Sequence, residues 1–143
     1  MNAAELMTPT PTCCQSQHTI VEVAEVMKRE DVGLIPIIED VTNKLIGVLT
    51  DRDIVLKVVA EERDPSGTAV SEVMTGDPIA CREEDTIDAV MQQMAAHQVR
   101  RIPIVDNGGA IIGIVSQADI ATRLANPRET GNVVQAISEP AGV

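Results

Sequence analysis

Apolar residues recur three and four positions apart in four stretches of the chain, and short aliphatic runs lie between those stretches. Thr19 followed by Glu22 is a capping-box signal, after which Ile20, Val23, Val26 and Met27 share one helical face. The pattern returns with Asp85 or Thr86 as the cap and Ile87, Val90, Met91 and Met94 as the stripe. Residues 35–38 and 45–49 read as two strands joined across 40–44. Residues 102–105 and 111–115 read as a hairpin about Asp106-Asn107-Gly108-Gly109. Each hairpin is followed by a second helix. The first spans 51–60 with Ile54, Val55 and Val58 inward, and the second spans 117–125 with Ile120, Ala121 and Leu124 inward. Ahead of each first helix, proline keeps residues 11–15 and 78–82 extended.

The elements recur because the chain repeats. Shifted by 67, residues 7–39 match residues 74–106 at 12 of 33 positions, where typical residue frequencies give roughly two. One residue is lost in the hairpin turn, after which residues 46–54 face residues 112–120. A two-stranded hairpin is not stable alone in water, so the copies are expected to pack sheet against sheet, with helices outside. The expected fold is α+β, two β-α-β-β-α copies related by pseudo-two-fold symmetry. The expected organisation is residues 1–67 for the first copy with its lead-in and linker, 68–126 for the second, and a tail over 127–143 with a short helix near 133–137. The two copies are expected to form one folding unit.

Composition narrows the function. The chain has 143 residues, 44% of them hydrophobic and 23% charged, the balance of a folded domain. Phe, Tyr and Trp are absent, so a planar ligand must lie between aliphatic side chains, and aromatic platforms for single-stranded nucleic acid are excluded. A formal net charge of −11 repels phosphate backbones and anionic membranes, which disfavours a nucleic-acid or membrane partner. The apolar runs fall short of the roughly 20 residues that span a bilayer, and the first residues lack the basic region of a signal peptide. A cytoplasmic location is expected. Cys13, Cys14 and Cys81 are an odd count and are expected to be reduced thiols. With His18 they form the only thiol–imidazole cluster of the sequence, but adjacent cysteines do not present both sulfurs to one zinc, so no metal site is expected. The sequence carries no Walker motif, GxSxG elbow or Rossmann fingerprint, and an enzyme is not expected.

Three features recur in order in both copies: Met-Thr at the head (Met7-Thr8, Met74-Thr75), Ile-Pro-Ile in the first hairpin strand (residues 35–37 and 102–104), and Gly-x-x-Thr/Ser-x-x-Asp at the second strand-to-helix junction (Gly47, Thr50, Asp53 and Gly113, Ser116, Asp119). Together they resemble the CBS domain of cystathionine β-synthase, two of which in tandem make a Bateman module. The resemblance covers residues 6–124, which implies no attached catalytic or transport domain. It implies a regulatory module that binds an adenosine-containing ligand in the cleft between the copies: AMP, ADP or ATP first, S-adenosylmethionine or NAD(H) as further candidates, with no required cofactor. It also implies a homodimer paired through helices and an unidentified protein partner.

The implied site can be tested against the chemistry of the residues. Asp53 and Asp119 offer carboxylates to a ribose diol. Thr50 and Ser116 offer hydroxyls beside the unsatisfied N–H groups of a helix N-terminus, which suits phosphate. Arg52, Arg100 and Arg101 are the phosphate candidates, since guanidinium forks match phosphate oxygens. By family position, Thr12, Cys13, Cys14, Ile79, Ala80 and Cys81 edge the adenine slot, with Ile35, Ile102, Val48 and Ile114 as walls. The alternative is a ligand-independent interaction and dimerisation scaffold in which Asp53 and Asp119 only cap their helices.

Overall fold

The computed structural model describes residues 1–123. Residue Leu124 of the expected second helix and the expected tail helix lie outside the described residues. Among the described residues the elements are α1 (Ala3–Leu6), β1 (Thr8–Pro9), β2 (Cys14–Gln15), α2 (Ile20–Glu30), β3 (Leu34–Ile38), β4 (Leu45–Thr50) and α3 (Asp51–Ile54), which runs on as a π-helical turn (Val55–Val59). A 3₁₀ turn (Val70–Glu72) leads to β5 (Thr75–Gly76), β6 (Cys81–Arg82), α4 (Ile87–His97), β7 (Arg101–Val105), β8 (Ile111–Ser116) and α5 (Gln117–Arg123).

The helices begin where their caps stand. The Thr19 hydroxyl accepts the Glu22 N–H and the Glu22 carboxylate accepts the Thr19 N–H, the reciprocal pair foreseen from the sequence. Thr86, rather than Asp85, caps α4 by accepting the Ala89 N–H. Both helices stop at matching positions, Asp31 and Gln98, which take left-handed backbone angles. Their apolar stripes are buried as expected: Ile20, Val23 and Met27 on α2, and Ile87, Val90, Met91 and Met94 on α4. In the second hairpin turn, the Asp106 carboxylate accepts the Gly108 N–H and Gly109 adopts φ +86°, open to a residue without Cβ.

The chain forms two compact units. The copy-one unit comprises Thr12–Pro78 with Gly109–Ile111, and its sheet runs β2-β3-β4-β5. The pairing β2–β3 is parallel, whereas β3–β4 and β4–β5 are antiparallel. Its core gathers Cys14, Ile20, Val23, Met27, Ile35, Ile37, Leu49 and Val58 together with Val70 and Val73. Among the described residues the copy-two unit comprises Met1–Pro11, Ile79–Gly108 and residues 112–123, with sheet order β1-β8-β7-β6. Its core joins Ala3 and Leu6 to Cys81, α4, Ile102, Ile104, Val115 and Ile120. Each lead-in segment therefore completes the unit of the other copy. Residues 70–76, at the start of copy two, supply a turn, two core valines and the edge strand β5 to copy one. Residues 3–9, ahead of copy one, supply α1, Leu6 and the edge strand β1 to copy two.

The second helices correct two expectations. Val55 and Ala121 were expected inward, but both are exposed, while Val58 and Ile120 are buried. Past Ile54 the winding loosens to five-residue hydrogen bonds, with Ala60 N–H donating to the Val55 carbonyl and Arg63 N–H to that of Val58. The inward face then consists of Ile54 and Val58, and Val55, Leu56 and Val59 turn outward.

Candidate functional site

The two junctions carry the same construction. Thr50 ends β4, and its N–H donates to Asp53 Oδ2 (3.0 Å) while the Asp53 N–H donates to Thr50 Oγ1 (3.1 Å). In copy two the Ser116 N–H donates to Asp119 Oδ2 (2.9 Å) and the Asp119 N–H to Ser116 Oγ (3.0 Å). All four residues are half-buried. An ionised carboxylate offers about four lone-pair positions and this cap occupies one, so each aspartate keeps capacity to accept further hydrogen bonds.

Beyond the cap the junctions differ. Lys57 Nζ lies 3.2 Å from Asp53 Oδ1 and donates to the Val73 carbonyl at 3.0 Å. At the matching position Arg123 donates through Nη1 to the Leu6 carbonyl (2.8 Å), and among the described residues it makes no ion pair with Asp119. The Asp51 N–H donates to the Gly33 carbonyl and the Gln117 N–H to that of Arg100, so Gly33 and Arg100 hold equivalent places beside the two helices. A Cβ at Gly33 would stand 3.0 Å from Asp51 Oδ2. Copy one thus places a carboxylate where copy two has the neutral Gln117 beside an arginine. Sequence reasoning overlooked Lys57 and Arg123. The available signal was a basic residue four positions after each motif aspartate, the spacing of a helical ion pair.

Arg52, Arg100 and Arg101 are exposed, and among the described residues none is held in an ion pair with a carboxylate. Arg100 is tied to its junction through its carbonyl, and Arg101 opens β7. Arg52 lines an open depression with Asp51, Val55 and Leu56 on the outer side of its helix.

The slot residues divide by strand face. Directly paired residues share a face, so Ile35 goes with Leu49 into the copy-one core, and Val48 goes with Pro36 onto the opposite face. Ile35 is 1% exposed and Ile102, in the copy-two core, is 0% exposed. Ile114 is half-buried beside the core residue Val115. Val48 and Ile114 are half-buried on the non-core faces, whereas Ile35 and Ile102 point into the cores, because strand alternation sends neighbours to opposite faces. Cys14 and Cys81 are buried at equivalent positions, paired with Ile37 and Ile104. Cys13 and Ala80 are half-buried, Ile79 packs against the copy-two core, and exposed Thr12 donates its hydroxyl to Glu30 Oε1 at 3.4 Å.

Burial pushes the Cys13 thiol up to about 11, reinforced by Cys14, and pushes Cys81 up to about 11, reinforced by Asp85. Cys14 is raised as well, first by burial and then by Glu22. Protonated thiols are poor nucleophiles and poor metal ligands. Among the described residues no cluster of three His, Cys, Asp or Glu side chains is placed to hold a metal ion. Among them, too, no helix is long and apolar enough to cross a membrane.

A twice-used unit of sheet and helices, with a hydroxyl–aspartate cap at each second strand-to-helix junction, defines a tandem-repeat module. The chain belongs to the CBS domain family, whose model matches residues 3–60 and again 70–126. Hypoxic response protein 1 of Mycobacterium tuberculosis is 34% identical over 122 residues, covering 85% of this chain and 84% of the relative. A crystal structure of Hypoxic Response Protein I with two coordinated zinc ions superposes with a TM-score of 0.80 at 34% identity, covering 87% of this chain and 99% of that one. The CBS domain pair of protein MJ0100, solved with 5′-methylthioadenosine and S-adenosyl-L-methionine, superposes with a TM-score of 0.76 at 26% identity, covering 85% and 94%. CBSX2 in complex with AMP shares the fold, with a TM-score of 0.73 at 22% identity over 85% and 93% of the two chains.

Proposed function

We propose that this protein is a regulatory sensor that binds an adenosine-containing ligand, AMP, ADP or ATP in the first place, through the Thr50–Asp53 and Ser116–Asp119 junctions. The supporting observation is that both junctions hold a half-buried aspartate whose carboxylate is oriented by its own helix cap and retains free acceptor positions. A ribose diol supplies two O–H donors to such a group. Val48 and Ile114 supply apolar surface on the non-core faces of the sheets, and Arg100 and Arg101 supply exposed positive charge for phosphate in a chain of net charge −11. The ligands carried by the MJ0100 pair support the adenosine class over other metabolites.

Binding to the folded state alone raises stability by about 2.7 kcal/mol at a hundredfold excess over Kd. Regulation further requires that the ligand favour one conformation over another. The experiment is a melting series with AMP, ADP, ATP, S-adenosylmethionine and NADH, read with an external dye because the chain lacks tryptophan. An adenylate is expected to raise the melting temperature of the parent protein, and Asp53→Ala with Asp119→Ala is expected to abolish that rise. No shift with any of the five would leave the scaffold reading.

The proposal extends to a cytoplasmic homodimer that reports occupancy to a protein partner, without a catalytic step of its own. Val55 (54% exposed), Leu56 (46%) and Val59 (66%) support the dimer as apolar side chains left in water on one short helical segment.

A further inference from the structure

Asp53 is held from two directions. Its Oδ2 accepts the Thr50 N–H at 3.0 Å, and its Oδ1 faces Lys57 Nζ at 3.2 Å. The same ammonium donates to the Val73 carbonyl at 3.0 Å. Val73 belongs to the segment 68–76, the start of copy two, which is part of the copy-one unit. That segment is secured by Val70 N–H on the His18 carbonyl (2.8 Å), Ser71 N–H on that of Ser16 (2.9 Å) and β5 on β4. Lys57 is half-exposed and Asp53 is 15% exposed, so the ion pair by itself contributes little to stability. Its consequence is geometric. A carboxylate with both oxygens engaged has one orientation, and an ammonium shared between that carboxylate and a backbone carbonyl couples the two positions.

Copy two lacks this three-membered chain among the described residues. Arg123 reaches the Leu6 carbonyl, the counterpart of Val73, but makes no ion pair with Asp119. A hydroxyl ligand arriving at Asp53 redistributes the negative charge that Lys57 senses and so alters its hold on Val73. Among the described residues Asp119 has no ion-paired cation through which the same ligand could act.

We propose that Lys57 is a positioning residue that presents the Asp53 carboxylate to the ligand and carries occupancy of that carboxylate to the segment 68–76. The inference rests on the adenosine reading above and adds to it a direction of signalling, from copy one into the lead-in of copy two.

The test uses the full chain with Asp119→Asn, so that only the copy-one junction reports. Calorimetric titration with AMP and with S-adenosylmethionine is paired with hydrogen-exchange mass spectrometry of residues 68–76. The parent is expected to bind one of the probes and to gain protection in 68–76. Lys57→Met, which keeps the aliphatic stem, is expected to weaken binding about tenfold, the size of a lost hydrogen bond to a charged group, and to remove the added protection. Lys57→Arg is expected to restore both. Lys57→Gln, a milder variant that keeps a donor for Val73 without the charge, is expected to behave as Lys57→Met toward the ligand. Unchanged affinity and protection in Lys57→Met or Lys57→Gln would overturn this inference alone. Binding by the unmodified chain but not by Asp119→Asn would overturn this inference alone, and absence of binding by the unmodified chain with all five ligands of the melting series, or binding that survives Asp53→Asn together with Asp119→Asn, would overturn the adenosine reading and the inference with it.

Discussion

Met74 lies against Gly47, so closely that a Cβ on residue 47 would stand 2.6 Å from the Met74 sulfur and 3.0 Å from the Thr75 carbonyl oxygen. The glycine that opens the junction motif is thus required by close approach of the segment from the other copy, at an ordinary backbone angle. Met7 covers Gly113 in the same way in the copy-two unit.

Gly47→Ala is therefore expected to destabilise the protein by about 1–3 kcal/mol, because the thioether can swing aside but the Thr75 carbonyl of the β4–β5 ladder cannot move freely. Gly76→Ala, with nothing within 4 Å of the new Cβ, is the control and is expected within about 0.5 kcal/mol of the parent. Urea denaturation of both variants measures the difference. Equal effects would remove the packing explanation.

His18 and Asp85 occupy equivalent places in the repeat and do the same work. The Gln15 N–H donates to His18 Nδ1 (2.8 Å), and the Arg82 N–H donates to Asp85 Oδ2 (2.8 Å). His18→Ala is expected to cost about 1 kcal/mol by leaving a part-buried N–H without its acceptor, and His18→Asp to recover most of that loss. Denaturant midpoints report both.

The buried thiols set a pH dependence. Burial pushes Cys13 and Cys81 up to about 11, above the ordinary thiol range of the unfolded chain, so the folded state favours the protonated form. Their contribution to stability is complete below about pH 9 and is lost as pH rises toward 11. At pH 8, alkylation by iodoacetamide is expected to run about a hundredfold slower than for a free cysteine peptide, in proportion to thiolate content. Rapid labelling of native protein at that pH would contradict the burial.

Val55→Ser with Val59→Ser is expected to leave the monomer's stability within about 0.5 kcal/mol of the parent, since both side chains are exposed. If the proposed homodimer uses this face, sedimentation equilibrium shows the double variant shifted from dimer to monomer. An unchanged distribution would place the dimer contact elsewhere or remove it.

Much of this molecule is legible in its sequence because the governing interactions are local. The Thr19–Glu22 and Thr50–Asp53 caps span three residues, the α2 and α4 stripes follow a helical period, and the aliphatic runs of β3, β4, β7 and β8 have strand length. Duplication confirmed each of these signals by repeating it, and one motif led to both junction aspartates. Other features were decided by the tertiary structure, because their partners are remote or their segments too short to show a period. β1 and β5 have two residues each and take their places by pairing with strands of the other copy. Lys57 meets a carbonyl 16 positions away and Arg123 one 117 positions away. Val55 and its counterpart Ala121 both face outward, because which side of the second helix is covered is set by the sheet it packs on and not by the helix's own pattern of apolar residues. Ile35 and Val48 parted because adjacent aliphatic residues on paired strands go to whichever face the register assigns, and register is a property of the assembled sheet.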